Sequence, residues 1–267
     1  MAPLMPDSVQ ILSVRVHRVT MRESLALVDA MASSGRAHHV VTVNPEFIMT
    51  AQTNGAFRDV LNGADLALPD GMGIVHAARL LGKPVRERVT GVDFVNRFAE
   101  IAAARGYRLF LLGAAPGVAE RAAAVLCRDW PGLIVAGTYA GSPHPREEAE
   151  ICSRIAAARP HVLLVAYGSP GQDLWIARTR ERLNVPVSIG VGGTLDYIAG
   201  VVKRAPEWAC ALGMEWTYRL VSQPSRWRRM LALPQFAAAV CVQALSSRAQ
   251  GTRPQDKKME SAAELNS

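Results

Sequence analysis

Between residues 38 and 200 short runs of β-branched residues and leucine alternate with alanine-rich stretches of helical spacing, and this alternation constrains the fold more than any other feature. It predicts an α/β domain: a sheet covered by helices on both faces. The expected strands are HVVTVN (39–44), DLALPD (65–70), RLFLLG (108–113), LIVAGTY (133–139), VLLVAYG (162–168) and VPVSIGVG (185–192). Several are apolar throughout, as strands buried on both faces must be. Helices are expected near 21–33, 46–62, 73–82, 92–105, 117–129, 146–158 and 171–183, with Pro45, Pro116, Pro145 and Pro170 at or near four of their starts, where a missing N–H costs little.

Around Arg204-Ala205-Pro206 the composition changes to a helix-compatible run rich in Trp and Arg. The chain therefore divides into a catalytic core (1–203), a basic helical appendage (204–247) and a tail (248–267) whose mixture of charges with Gly, Pro and Ser predicts disorder. Truncation after Val202 is expected to leave a soluble core with little activity. The longest mainly apolar run, Leu231 to Leu245, is broken by Pro234 and is too short to span a bilayer. The first twenty residues lack a secretory signal, so a cytoplasmic protein is expected.

With 49% hydrophobic and 20% charged residues, the chain has ample material for a core. Cys127, Cys152, Cys210 and Cys241 are far apart among apolar neighbours and read as buried thiols of a reducing compartment, not as zinc ligands or a disulfide framework. The formal charge is +7, and more than half of it lies between Lys203 and Met230, where six basic residues face two acidic ones. There Trp208, Trp216 and Trp227 interleave with Arg219, Arg226, Arg228 and Arg229. An interfacial surface, with rings at headgroup depth and guanidiniums against anionic lipid or a ligand diphosphate, is the favoured reading. A docking helix with core tryptophans is an alternative, and nucleic-acid binding a weaker one.

In an open α/β sheet, ligands bind beyond the carboxyl ends of the strands. Thr42 and Asn44 leave the first strand and either orient a sugar or phosphate or cap the following helix. Asp70, in LPDGMG, is a carboxylate at a strand end beside two glycines, Gly71 and Gly73, that let a ligand approach the backbone; it is a candidate general base, or else an Asp-Gly turn. Arg88 has the planar fork of donors that suits a diphosphate, though a single Arg is commonly a solvated surface residue. The turn of LFLLGAAPGVAERA could offer helix N–H groups to a phosphate, but Gly113 and Gly117 do not form the dinucleotide fingerprint. Gln172 and the pair Gly192-Gly193 complete the set; they are compatible with a nucleotide site and equally with ordinary tight turns. The chain has no Asp-x-Asp, H-E-x-x-H or Cys-x-x-Cys, nor the G-x-S-x-G and Walker signatures, so a chemistry without metal or cofactor is expected. His38, His39, His76, His144 and His161 are scattered, and none is preferred as a catalyst.

TVNPE, LPDGMG, ERVTGVDF, GSPGQDLWI, GVGGTLDYIAG, KRAPEW and EWTYRL…QPSRWRR occur in the order and approximate spacing of the WecG/TagA/CpsF family of bacterial glycosyltransferases, which the chain resembles from about residue 10 to 235. The resemblance implies a Rossmann-like core with a carboxyl-terminal helical appendage. It also implies a cytoplasmic, membrane-associated, inverting enzyme that moves a sugar from a UDP-sugar to an undecaprenyl-diphosphate-linked acceptor. By position, Asp70 matches the family's general base, Thr42 and Asn44 match pocket residues, and Arg88 and Gln172 match further active-site positions. Arg219, Arg226 and Arg229 match appendage arginines that close over the site and hold the diphosphate. Asp173 departs from the Glu usual in the family, which puts any donor contact there in question. N-acetylmannosamine, its uronic acid and glucose are all compatible as the sugar, and the polymer could be an exopolysaccharide, a teichoic-acid linkage unit or an enterobacterial-type antigen. No nucleic-acid partner is expected, and a homo-oligomer is possible. The rival reading is a soluble nucleotide-dependent oxidoreductase on a similar sheet, against which the missing fingerprint counts.

Overall fold

A computed structural model describes residues 6–203 and 231–251. Six parallel strands form the central sheet: β3 (His38–Val43), β4 (Leu66–Pro69), β5 (Arg108–Gly113), β6 (Ile134–Tyr139), β7 (Val162–Ala166) and β8 (Val187–Gly190), in the order β4-β3-β8-β7-β5-β6. All six expected strands are present. Alternate side chains leave each strand on opposite faces, so one strand feeds two cores. On one face Val40, Leu109, Leu111, Leu164 and Ile189 pack with α1 (Met21–Ala32), α5 (Gly91–Arg105), α6 (Val118–Asp129) and the short α9 (Thr194–Ile198). On the other, Phe110, Leu112, Leu163 and Val165 pack with α7 (Glu148–Ala158) and α8 (Gly171–Leu183), while Val41, Val43 and Ala67 meet α2 (Pro45–Thr53), α3 (Gly55–Gly63) and α4 (Met72–Leu80). The continuous apolar runs thus report a sheet covered on both sides, the α/β Rossmann-like architecture.

Three local features differ from expectation. The helix expected over 46–62 is two helices, because Asn54 leaves helical geometry (φ −123°, ψ 94°) and its Oδ1 accepts the Phe57 N–H, capping α3 at 3.0 Å. A two-stranded antiparallel hairpin, β1 (Ser8–Ile11) and β2 (Val14–His17), precedes α1. Its turn lacks the usual Asn-Gly chemistry and places Leu12 at φ 52°. Third, Cys127 and Cys241 are exposed and Cys152 alone is buried among the described cysteines, because the first two occupy outward helix positions; Cys210 lies outside the described residues.

The last described helix, α10 (Ala232–Gly251), begins two residues before Pro234, which therefore sits in the first turn, where no intrahelical N–H bond is lost, and does not interrupt it. The helix runs past 248, into the segment expected to be disordered. Phe236 and Val240 are buried in the same cluster as β1, β2 and α2. Gln243 accepts the Leu12 N–H (2.8 Å) and donates to the Gln10 carbonyl (3.1 Å), so the far end of the chain holds the hairpin turn. Truncation after Val202 would remove part of the core, so a stable soluble remainder is no longer the expectation. Among the described residues no helix is long and apolar enough to cross a membrane. The boundary at Arg204 and the tail beyond Gly251 lie outside the described residues.

His17 joins the hairpin to the sheet: it is buried, and its Nδ1 accepts the Ala67 N–H of β4 at 2.9 Å. Burial, with Arg15 nearby, pushes its pKa from 6.5 down to about 4. Between these values the unfolded chain binds the proton that the folded chain refuses. Stability is therefore full above pH 6.5 and falls as the pH drops towards 4, by about 3 kcal/mol in total. His17→Asn, which keeps an acceptor near the place of Nδ1, is expected to flatten this acid limb in urea titrations at neutral and mildly acidic pH.

Candidate active site

The carboxyl ends of β3, β4 and β8 open into a cavity of about 820 Å³. Its position follows from the strand order. β3 continues through α2 and α3 to β4 on one side, while β8, the strand on its other side, turns into α9, so the connecting segments diverge and leave a crevice.

Thr42, the penultimate residue of β3, lines the cavity and donates from Oγ1 to the Gly190 carbonyl of β8 at 3.0 Å. Asn44 lines it too, while its Oδ1 accepts the Phe47 N–H at 3.1 Å to cap α2. The two readings of this strand end are therefore compatible, since the cap holds Asn44 at the rim. Asp70 follows β4, is partly exposed and lines the cavity. Its backbone N–H donates to Val43 at 2.8 Å, which joins the ends of β3 and β4 beneath the carboxylate. The Val89 N–H donates to Pro69 at 2.9 Å and brings the segment after Arg88 alongside the same strand end. Arg88 is partly exposed and stands next to this junction, although it is not among the residues lining the cavity.

The glycines divide into two groups. Gly71 (φ 107°) and Gly73 do not line the cavity, contrary to the expected opening for a ligand. A Cβ on Gly73 would lie 2.6 Å from the Pro45 ring, so this glycine lets α4 pack on the start of α2. Gly113 likewise permits β5 to approach Ala166 of β7. Gly192 (φ 53°) and Gly193 do line the cavity. The Gly192 N–H is taken by Gln172 Oε1 at 2.8 Å and the Thr194 N–H by the Val191 carbonyl at 3.1 Å, so the turn spends these amides internally. What it offers a ligand is close backbone approach.

Gln172 is fully buried and does not line the cavity; it stands behind the wall and shapes it through Gly192. Asp173 is also fully buried and away from the cavity, so the residue that differs from the usual Glu makes no direct contact there. Arg219, Arg226 and Arg229 lie outside the described residues, as do Trp208, Trp216 and Trp227.

Several lining residues escaped the sequence reading. Thr90 accepts the Asp93 N–H to cap α5, and Gly91 packs so closely that a Cβ would lie 2.9 Å from Thr194 Oγ1. Glu46 and Thr50, one helical turn apart on α2, also line the cavity, as does Gln235 of α10. Glu46 stood inside the TVNPE motif and Thr194 and Asp196 inside GGTLDY, but their outward direction emerges only when the helices are placed.

The model of the glycosyl transferase WecG/TagA/CpsF family matches residues 9–250. Among curated proteins, the chain is similar to the N-acetylglucosaminyldiphosphoundecaprenol N-acetyl-beta-D-mannosaminyltransferase of Bacillus spizizenii strain W23, with 38% identity over 201 residues, 75% of this chain and 77% of that protein. The protein of the same name from Bacillus subtilis strain 168 is 35% identical over 201 residues, 75% of this chain and 78% of its own length. That from Staphylococcus aureus strain MW2 is 30% identical over 230 residues, 85% of this chain and 90% of its own length.

Gly73→Ala should force α4 away from Pro45 and lower stability by about 1–3 kcal/mol. Because the same turn carries Asp70, its ligand affinity should fall as well; urea denaturation and ligand titration together check this.

Proposed function

The chain belongs to the glycosyl transferase WecG/TagA/CpsF family, and on that footing we propose that it transfers N-acetylmannosamine from its UDP derivative to N-acetylglucosaminyl-diphospho-undecaprenol, with inversion at the anomeric carbon. The names of the relatives favour N-acetylmannosamine over its uronic acid or glucose. A glycosyltransferase family also leaves no support for an oxidoreductase.

One observation carries the mechanism: Asp70 lies on the cavity at the end of β4, and a wall of bare glycine backbone, Gly192-Gly193, lines the same cavity. Asp70 removes the proton from the acceptor hydroxyl as its oxygen attacks the anomeric carbon from the face opposite UDP. The new glycosidic bond forms as the bond to the diphosphate breaks, and UDP leaves with the electron pair. The charge that develops on the diphosphate needs fixed positive partners. The resemblance assigns Arg219, Arg226 and Arg229 to this task and gives Arg88, which stands beside the strand end but off the cavity lining, a further active-site position. Cationic side chains then supply the stabilisation without a metal or cofactor. Thr42 and Asn44 line the space between base and donor.

The acceptor's lipid remains in the bilayer, so the enzyme must work at the inner face of the membrane. Leu231, Val242 and Leu245, within the described carboxyl-terminal segment, are exposed, and with the basic Trp/Arg run they suit an anionic surface.

Asp70→Asn should reduce transfer by about 10²–10⁴-fold or more, with UDP affinity nearly unchanged. Product formation from UDP-N-acetylmannosamine and a short-chain lipid-diphosphate acceptor, read by mass spectrometry, is the check; wild-type turnover by the variant would remove Asp70 as the base. Sedimentation with vesicles should show binding that requires anionic phospholipid and weakens with salt.

A further inference from the structure

A fully buried pair of opposite chemical character lies behind the glycine wall, and the mechanism above makes no use of it. The Asp173 side chain, in the first turn of α8, has no exposed surface, and that of His39 on β3 is 3% exposed. His39 Nε2 lies 3.4 Å from Asp173 Oδ1. Among the described residues neither Asp173 oxygen nor this nitrogen has a hydrogen-bond partner, so the contact has the distance of an ion pair without the alignment of a hydrogen bond. A carboxylate withdrawn from water needs a polar partner, which the imidazole facing it supplies, and the N-terminal turn of α8 favours a negative group at this position. The neighbouring charges are already engaged: Asp65 accepts the His39 backbone N–H at 2.9 Å and also meets His38 at 3.2 Å and Arg180 at 3.4 Å.

Two contacts link the pair to the cavity. Gln172, adjacent in sequence and equally buried, holds the Gly192 N–H. Both side chains crowd Gly190, where a Cβ would collide with Asp173 Oδ1 and lie 2.6 Å from Gln172 Nε2. The carbonyl of that glycine receives the Thr42 hydroxyl.

We propose that Asp173 and His39 are positioning residues for the donor: their buried contact locks the first turn of α8, so that Gln172 holds the Gly190–Gly193 backbone in the shape that the donor's diphosphate requires. This rests on the UDP-sugar reading given above. Asp173 never touches the donor, and its carboxylate acts through Gln172 and Gly192.

The test uses the full chain, with UDP titrated by calorimetry, steady-state kinetics, and hydrogen exchange of backbone amides. Asp173→Asn should weaken UDP binding and raise the donor KM about tenfold, with the acceptor KM and kcat changed less than about twofold. Exchange of the Gly192 amide should accelerate while amides of β5 and β6 stay protected. Asp173→Glu, which keeps the charge, should recover most of the affinity. Gln172→Ala should reproduce the donor defect with the His39–Asp173 contact intact, and combining it with Asp173→Asn should add little, because both act through one turn. UDP binding by Asp173→Asn within about twofold of wild type, with Gly192 still protected, would overturn the proposal. So would exchange accelerated uniformly across the sheet, or undiminished donor affinity in Gln172→Ala. If the wild-type chain does not bind UDP, the donor reading fails, and Gly192 exchange in Asp173→Asn still decides whether the pair holds the turn.

Discussion

The seam between β3 and β8 governs the geometry on which the proposed chemistry depends. These two strands pair from His38 against Val187 to Val41 against Gly190, and beyond the last pair the chains part, one into α2 and the other into the glycine turn. The Thr42 hydroxyl on the Gly190 carbonyl closes the seam at the point of divergence. A parallel sheet buried on both faces permits little movement there, because every strand residue that shifts must repack two cores. Asp70 gains its fixed place from the same rigidity: its N–H is bonded to Val43, the last residue of β3.

The carboxyl-terminal helix has a larger structural part than an appendage would. α10 buries Phe236 and Val240 against the helices that follow β3 and β4, and Phe236 lies near Gly73 in the turn that carries Asp70. Gln235, one residue earlier, reaches the cavity wall. Packing of the chain's end is thus connected with the shape of the site.

Much of the fold was legible before any coordinates. Six strands were readable because residues buried on both faces must be apolar without interruption, and the helix starts because Pro and small polar residues satisfy or dispense with terminal N–H groups. The hairpin was not legible: its turn is stabilised by Gln243, more than two hundred residues away, and no local signal stands in for that contact. The division between α2 and α3 was missed because the helical spacing continues across Asn54, whereas the side chain's bond to Phe57 decides the matter locally. In the site, Thr42, Asn44, Asp70 and Gly192-Gly193 were found through their place at or just after strand ends. Glu46, Thr50 and Thr194 were not, since which face of a helix looks into a crevice depends on how the helix is packed.

The sequence by itself determined the alternation of strands and helices, the carboxylate and glycines at the strand ends, and the motif order that the family shares. These follow from short-range rules of burial periodicity, capping and turn chemistry. Only the tertiary structure decided that Gln172 and Asp173 stand behind the cavity wall, that Gly73 serves Pro45 and not a ligand, and that the last helix belongs to the core. The physical reason is common to all three: each depends on which surfaces the sheet brings together across long sequence separations.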